Sequence, residues 1–175
     1  MAVLERELER ANPSLIVVYG RPRVGKSTLI LRALGGRAHV YFHATRVTDP
    51  DVQELFRRQI ASAVGAAPVL DGLTGWEALL GHLQRLAEAR RPGLTVVLDE
   101  FPYLCEANRA LPSIVQKVWD GAWSAGSPLD LILCGSSISF MEELLAERNP
   151  LRGRRSAELD VGPLSYREAA AFFPT

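Results

Sequence analysis

The feature that most constrains the fold of this chain is a short glycine-containing stretch, which reads G-R-P-R-V-G-K-S from Gly20 to Ser27. It matches the pattern G-x-x-x-x-G-K-[ST] at each fixed position. An apolar run from Leu15 to Tyr19 comes directly before it. Glycines between a strand and a helix leave successive backbone N–H groups open to an anion, and the helix N-terminus adds partial positive charge. The stretch therefore predicts a phosphate-binding loop.

The residue types of this loop indicate a nucleoside triphosphate bound with magnesium. Lys26 can place a positive charge on the β- and γ-phosphates, and the Ser27 hydroxyl can bind the Mg²⁺ that bridges them. Arg21 and Arg23 are expected to face solvent, and Pro22 to stiffen the loop. We expect the nucleotide to be bound by the consecutive residues Gly20, Arg21, Pro22, Arg23, Val24, Gly25, Lys26, Ser27 and Thr28.

Paired acids follow a second apolar run. Asp99 and Glu100 come directly after the uncharged residues from Leu94 to Leu98. We expect Asp99 to hold Mg²⁺, mostly through water, and Glu100 to orient and deprotonate the water that attacks the γ-phosphate. A pair of solvated acids at a strand end is the alternative, and the phosphate-binding loop upstream disfavours it.

Small hydroxyl residues follow a third predicted strand, which extends from Leu129 to Cys134. Gly135 and Ser136 come directly after it. If the strands are parallel, their carboxyl ends share one edge of the sheet, and Ser136 lies between the loop and the acids. This position predicts contact with the γ-phosphate. A helix cap or a plain tight turn is the alternative for Ser136.

Strand and helix patterns alternate along the chain. Strands are predicted over residues 15–19, 39–42, 94–98, 129–134 and 157–161, and helices over 26–34, 49–64, 112–125 and 139–145. Capping boxes at Thr74-x-x-Glu77 and Ser165-x-x-Glu168 predict two further helix starts. Continuous apolar strands separated by helices indicate a parallel sheet covered on both faces, which is a three-layer α/β/α architecture. Residues 1–13 are predicted to form a helical segment and residues 14–163 the core.

A basic cluster lies just before the last predicted strand. Its members are Arg148, Arg152, Arg154 and Arg155. A solvated loop is the simplest interpretation, because exposed charges contribute little to stability. The alternatives are an arginine finger that completes the site of a neighbouring subunit and a contact with a nucleic-acid backbone.

The composition of the chain argues against several classes of function. The 175 residues include 20 basic and 20 acidic side chains, so no net charge draws the chain to nucleic acid or to an acidic membrane. No apolar run approaches the roughly 18 residues of a membrane span. Cys105 and Cys134 lack metal or redox spacing and are expected to be reduced core thiols of a cytoplasmic protein. His39, His43 and His82 also lack metal-ligand spacing.

Several of these motifs occur together in one known group of proteins. From about residue 14 to its end, the chain resembles the archaeal-type AAA-like ATPases, a prokaryotic group near the STAND class. The stretches that carry the resemblance are Tyr19 with the phosphate-binding loop, Asp99-Glu100-Phe101-Pro102-Tyr103-Leu104, Cys134-Gly135-Ser136-Ser137, Met141-Glu142-Glu143-Leu144-Leu145, Pro150-Leu151-x-Gly153-Arg154-Arg155 and Gly162-Pro163-Leu164-Ser165.

The resemblance implies a fold and a reaction. The implied fold is an additional-strand P-loop core with five parallel strands in the order 5-1-4-3-2, and the implied ligand is Mg·ATP. Glu100 is implied as the catalytic acid, Ser136 as the γ-phosphate sensor, and Arg154 or Arg155 as the finger in a homo-oligomer. A non-hydrolysing nucleotide switch and, less favoured, a small-molecule kinase are the alternatives. The guanine-reading motif Asn-Lys-x-Asp is absent from the sequence, which disfavours GTP.

The chain differs from that group at both ends. Such proteins usually open with Arg-Glu-x-Glu-Leu, which helps to seat adenine, whereas this chain has Leu4-Glu5-Arg6-Glu7-Leu8. The identity of the base is therefore left open. Residues 164–175 are expected to begin a helical lid that is cut short. We accordingly expect the chain to be part of a longer protein, whose C-terminal domains bind protein or nucleic acid.

Overall fold

The computed structural model describes residues 2–10, 12–65, 70, 72–90, 93–121, 126–146 and 149–163. Its strands are β1 (Leu15–Tyr19), β2 (His39–His43), β3 (Leu94–Asp99), β4 (Leu129–Gly135) and β5 (Ala157–Asp160). Its helices are α1 (Ala2–Leu8), α2 (Lys26–Leu34), α3 (Asp49–Val64), α4 (Trp76–Glu88), α5 (Phe101–Ala107), α6 (Leu111–Gly121) and α7 (Ile138–Leu145). Strands and helices alternate as the sequence predicts.

The strands form one five-stranded sheet in the order β2-β3-β4-β1-β5, and each neighbouring pair is parallel. Counted from the other edge, this is the order 5-1-4-3-2, so the predicted sheet is confirmed. Its register aligns the strand ends, since Tyr19 lies opposite Gly135 and His43 lies opposite Asp99. The carboxyl ends of β1 to β4 therefore meet at one edge of the sheet, which carries the candidate site.

Both faces of the sheet are buried. In β1, the side chains of Leu15, Val17 and Tyr19 belong to the larger core, which α3 to α7 cover. Ile16 and Val18 belong to the smaller core on the opposite face, which α1 and α2 cover. Burial on both faces explains why β1 consists of apolar residues only. The predicted three-layer α/β/α architecture is confirmed.

Helix α1 is part of the smaller core. Leu4 is 0 % exposed and Leu8 is 3 % exposed. The Ser14 hydroxyl donates a hydrogen bond of 3.0 Å to the Glu7 carbonyl and so fastens the end of α1 to the start of β1. Leu4 occupies the position where the group that the sequence resembles usually has arginine. In this chain the residue fills the core, so it cannot offer a polar contact to a base.

Two local features differ from the sequence predictions. The capping box at Thr74 is not formed, because α4 begins at Trp76 and no side chain caps it. Gly75 is the N-cap residue, and its N–H donates to Gln53 Oε1 of α3 at 3.0 Å, so a tertiary contact holds the start of the helix. Helix α5 is not predicted by the sequence analysis. It begins directly after Glu100 with a proline in its first turn.

Some predictions fall on residues outside the described ranges. They concern residues 122–125, Arg148, Ser165-x-x-Glu168 and the lid expected over 164–175. Cys105 and Cys134 are free and buried, as predicted. Within the described part of the chain, no helix has the length and apolar character needed to cross a membrane.

Candidate active site

The loop after β1 owes its shape to two glycines. Gly20 has φ +150°, and a Cβ added there would lie 2.2 Å from the Val161 carbonyl oxygen. Glycine is therefore required at this position for the close passage of the chain beyond β5. Gly25, which precedes α2, has φ +92° with open space around it. Its requirement is conformational, because side-chain-bearing residues rarely adopt this φ.

Lys26 is the first residue of α2 and is only 6 % exposed. Its Nζ donates to the Gly20 carbonyl at 2.9 Å and to the Arg21 carbonyl at 3.0 Å. The ammonium group therefore lies inside the curve of the loop, beside the first turn of α2. The N–H groups of that turn have no acceptor within the helix. A buried cation and open amide donors make this a binding place for an anion.

Asp99 collects hydrogen bonds from three side chains on two elements, β2 and α2. Its Oδ2 accepts from the Tyr41 hydroxyl at 2.7 Å, from Ser27 Oγ at 3.0 Å and from His43 Nδ1 at 3.2 Å. Burial raises the pKa of Asp99, but hydrogen bonds from Tyr41, Cys134, His43 and Ser27 together outweigh it and hold the pKa below its usual value. Asp99 is therefore a buried carboxylate that is ionised at neutral pH.

Glu100 adopts a backbone conformation that is rare for its residue type. It has φ +56°, and Arg23 in the loop has φ +66°. These are the two non-glycine residues with positive φ within the described ranges, and both line the same cleft. Such strained residues cluster at functional sites, where the surrounding structure holds them in place.

Ser136 holds the Glu100 side chain. Its Oγ donates to Glu100 Oε1, and its backbone N–H donates to Glu100 Oε2 at 3.3 Å. Gly135 makes this approach possible, because an added Cβ there would lie 2.7 Å from Met141 Sδ and 2.9 Å from Pro102 Cδ. Ser136 does not cap α7, whose N-cap residue is Ser137. The hydroxyl of Ser136 is instead directed to the acid of β3.

A cleft of about 330 Å³ opens between these groups. Its lining residues are Pro22, Arg23, Gly25, Lys26, Ser27, Thr28, His43, Asp99 and Glu100. All of them except His43 are predicted from the sequence. Arg21 and Arg23 are exposed, as expected, and Arg23 also contributes to the cleft.

Tyr41 and His43 are site residues that the sequence analysis missed. Both lie in β2, which pairs with β3 and so carries them to Asp99. Their signal in the sequence is the alternation H-V-Y-F-H, in which Val40 and Phe42 face the larger core and the polar residues face the other side. This alternation is informative only once β2 is known to lie beside β3.

The two candidate finger arginines do not line the cleft. Arg154 forms a double hydrogen bond with Asp120 of α6, with Nε to Oδ1 at 2.6 Å and Nη2 to Oδ2 at 2.7 Å. Arg155 Nε lies 2.8 Å from Glu158 Oε2. Glu158 also accepts a hydrogen bond of 2.6 Å from the Tyr19 hydroxyl. Both arginines are therefore paired within their own chain.

The donor set at the cleft fits magnesium. Ser27 Oγ and Asp99 Oδ2 are 3.0 Å apart and both are oxygen donors. Within the described ranges, no group of three or more His, Cys, Asp or Glu side chains could hold a metal ion. Mg²⁺ fits such a site, because it keeps several waters and is usually held by one or two protein oxygens together with phosphate oxygens.

Comparison with solved structures shows the fold. The Walker-type ATPase PABY2304 of Pyrococcus abyssi superimposes with a TM-score of 0.72 at 22% sequence identity, covering 97% of this chain and 55% of that protein. The ORC2 protein of Aeropyrum pernix, in its ADPNP–ADP complexes, superimposes with a TM-score of 0.76 at 15% identity, covering 98% and 48% of the two chains. These proteins share the parallel P-loop sheet described above.

Comparison of sequences shows the family. The chain is 32% identical over 176 residues to the uncharacterized protein MJECL04 of Methanocaldococcus jannaschii, covering 99% of this chain and 37% of that protein. The chain thus spans little more than a third of the length of this relative. The family model of an ATPase domain predominantly from Archaea matches residues 1–175. The chain therefore belongs to this family of archaeal-type ATPase domains.

Proposed function

We propose that the chain binds Mg·ATP and hydrolyses it to ADP and phosphate by attack of water on the γ-phosphorus. The observation that carries this proposal is the meeting of Lys26, Ser27, Asp99 and Glu100 in one cleft at the carboxyl edge of the sheet. A buried cation, a magnesium-type donor pair and a carboxylate are the groups that phosphoryl transfer to water requires. Membership of an ATPase-domain family supports the same reaction.

Binding would use groups that the loop already directs inward. The Lys26 ammonium would exchange its carbonyl acceptors at Gly20 and Arg21 for β- and γ-phosphate oxygens. The N–H groups of the loop and of the first turn of α2 would surround the phosphates. Ser27 and Asp99 would hold Mg²⁺, which would neutralise the charge that develops on the phosphate oxygens.

Glu100 and Ser136 would serve the chemical step. Glu100 would accept a proton from the attacking water as the new O–P bond forms and the bond to the β–γ bridging oxygen breaks. The Ser136 hydroxyl would hold the Glu100 carboxylate in position and donate to the γ-phosphate when nucleotide is present. Both groups lie on strand ends of a packed sheet, which limits their movement.

A non-hydrolysing nucleotide switch is the second candidate, and one observation favours it. Both Glu100 oxygens accept hydrogen bonds from Ser136, so the proposed base is engaged by the protein. A carboxylate that kept both bonds after ATP binding would be a poor proton acceptor. In that case the nucleotide would hold a conformation without being cleaved.

Phosphate release in the absence of an acceptor molecule separates these candidates. We expect one ATP or ADP to bind per chain in the presence of Mg²⁺, and we expect ADP and inorganic phosphate to form in equal amounts. Titration with a fluorescent ATP analogue measures the first result, and a coupled phosphate assay measures the second. Stoichiometric binding with no phosphate released over many hours would support the switch instead.

ATP hydrolysis by this domain would drive the action of a longer protein. The chain covers 37% of MJECL04 and 55% of PABY2304, so those proteins contain much more than this domain. The A. pernix ORC2 structures contain ADPNP and ADP, which supports adenine nucleotides as ligands here. We therefore propose an ATP-driven module of a larger cytoplasmic protein, in which residues 14–163 form the core and other domains contact protein or nucleic acid.

We also propose that Arg154 or Arg155 acts as a finger between subunits. A finger supplied by a neighbour raises turnover by roughly 10³- to 10⁵-fold, so hydrolysis by dilute chains is expected to be slow. Turnover per chain should therefore rise with protein concentration in the wild type. It should stay low and independent of concentration in the doubly substituted Arg154→Ala, Arg155→Ala variant, as measured by the phosphate assay.

Substitution of Asp120 provides the control for this test. Asp120→Asn weakens the ion pair with Arg154 and keeps the guanidinium group. If Arg154 acts on a neighbour's phosphate, the Asp120→Asn variant keeps its turnover. If Arg154 only fastens its loop to α6, Asp120→Asn and Arg154→Ala lower turnover alike. Equal losses would contradict the finger proposal.

A further inference from the structure

We propose that His43 is a third protein group at the cation position and that it makes the site prefer Mn²⁺ to Mg²⁺. This inference rests on the proposed function, because the cation concerned is the one that accompanies the nucleotide. It assigns a role to a residue at the mouth of the cleft that the binding and cleavage steps above leave unused.

The backbone of His43 is fixed beside Asp99. The two residues are partners in the register of β2 and β3. The next residue continues the pairing, since the Ala44 N–H donates to the Asp99 carbonyl at 2.9 Å. The side chain of His43 is 61% exposed and lines the cleft together with Ser27 and Asp99. Strand pairing therefore fixes the backbone of His43 beside Asp99, while the exposed imidazole ring remains accessible to a ligand in the cleft.

The distances around Asp99 Oδ2 are those of neighbouring ligands on one ion. Ser27 Oγ lies at 3.0 Å and His43 Nδ1 at 3.2 Å from this oxygen. Adjacent ligands of an octahedral ion with bonds of about 2.1 Å are roughly 3.0 Å apart. In the tautomer that carries its proton on Nε2, His43 Nδ1 has a lone pair for a metal ion, and the three atoms can then share a cation with little movement of the side chains.

Asp99 does not depend on His43 for its hydrogen bonding. Its Oδ2 accepts a shorter bond of 2.7 Å from Tyr41, and its Oδ1 accepts from the Glu100 N–H at 3.0 Å. The contact with His43 is the longest of those to Oδ2. Within the described residues, the other histidines do not line this cleft. The imidazole nitrogen can thus act as a metal ligand beside the oxygen ligands Ser27 and Asp99 without leaving Asp99 short of hydrogen bonds.

The chemistry of the imidazole sets the direction of the preference. Mg²⁺ takes oxygen ligands almost exclusively, whereas divalent ions of the first transition row also bind imidazole nitrogen. Mn²⁺ has the octahedral geometry of Mg²⁺ and accepts both carboxylate and imidazole. A site with Ser27, Asp99 and His43 should therefore hold Mn²⁺ with a nitrogen contact that Mg²⁺ does not use.

Pulsed electron paramagnetic resonance of the chain with ADP and Mn²⁺ tests this directly. We expect electron spin-echo envelope modulation from an imidazole nitrogen in the wild type and its loss in His43→Gln. His39→Gln is the matched control, because His39 begins the same strand and its Nδ1 contacts the Arg37 carbonyl at 2.9 Å, away from the cleft. The control should keep the nitrogen signal.

Cation titrations of ADP binding give a second measurement. We expect the wild type to need less Mn²⁺ than Mg²⁺ for half-saturation, and we expect His43→Gln to reduce the ratio of the two affinities by about 10-fold, a common effect of losing a group around a metal. ADP binding with Mn²⁺, but without a nitrogen signal and with an unchanged ratio, would overturn the role of His43 and leave the nucleotide site intact. A chain that bound no nucleotide with either cation would overturn both proposals.

Discussion

Replacement of Lys26 by alanine is expected to weaken ATP and ADP binding by at least about 100-fold, or roughly 3 kcal/mol. Lys26 is 6 % exposed and its ammonium group lies within hydrogen-bonding distance of the loop carbonyls. A hydrogen bond to a charged group contributes about 1.5–3 kcal/mol, and this side chain can donate to two phosphate oxygens. Isothermal titration calorimetry with Mg·ADP and Mg·ATP measures the loss.

The chain contains its own control for this experiment. Its other lysine is Lys117, which lies in α6 and pairs with Glu77 of α4 at 2.8 Å on the surface. Lys117→Ala removes the same functional group from a site remote from the cleft, so it should leave nucleotide affinity unchanged. Equal affinity in Lys26→Ala and the wild type, with cooperative thermal unfolding retained in both, would show that nucleotide binds elsewhere.

Strand continuity explains how much of the fold is predictable. An uninterrupted apolar strand such as Leu15–Tyr19 is typical of a parallel sheet that helices cover on both faces, so this local pattern predicts the layers of the fold. The carboxyl ends of parallel strands share one edge, which brings the loop, the acids and Ser136 together. Their proximity therefore follows from the sequence before any distance is known. The strand order was inferred from the family resemblance.

Tertiary contacts explain what the sequence analysis missed. Tyr41 and His43 become site residues because β2 pairs with β3, and no local pattern in β2 identifies its neighbour. The capping box at Thr74 is not formed, and the start of α4 is held instead by the hydrogen bond from the Gly75 N–H to Gln53 of α3. In both cases the deciding partner is remote in sequence.

Ser136 shows where geometry decides between alternatives that residue types leave open. A serine after glycine suits a turn or a cap as well as a ligand contact. Its hydroxyl reaches Glu100 because Gly135 lets Met141 and Pro102 approach closer than a side chain would allow. The sequence contains these residues, but the pairing of β3 with β4 and the close approach of Pro102 and Met141 to Gly135 bring them together.

Glu100→Gln is expected to separate binding from cleavage. Glutamine keeps an oxygen that can accept from Ser136 and keeps the shape of the side chain, but it cannot take a proton from water at neutral pH. We expect the variant to bind Mg·ATP with the same affinity as the wild type. Its turnover should be lower by about 10²- to 10⁴-fold, which is the usual contribution of a general base. Calorimetry and single-turnover phosphate release measure the two quantities separately.

Asp99→Asn should give the opposite pattern. Asparagine can still accept from Ser27 and Tyr41, but it has lost the charge that attracts a divalent cation. We expect a higher Mg²⁺ requirement for nucleotide binding itself, followed by lower turnover. Glu106→Gln is the matched control for a carboxylate, because Glu106 lies in α5 and pairs with Arg46 at 3.1 Å outside the cleft.

If Glu100→Gln and Asp99→Asn lost binding equally while Glu106→Gln kept it, Glu100 would be a group that holds the cation and not the base. The water would then need another proton acceptor, and the switch would become the better account of this chain.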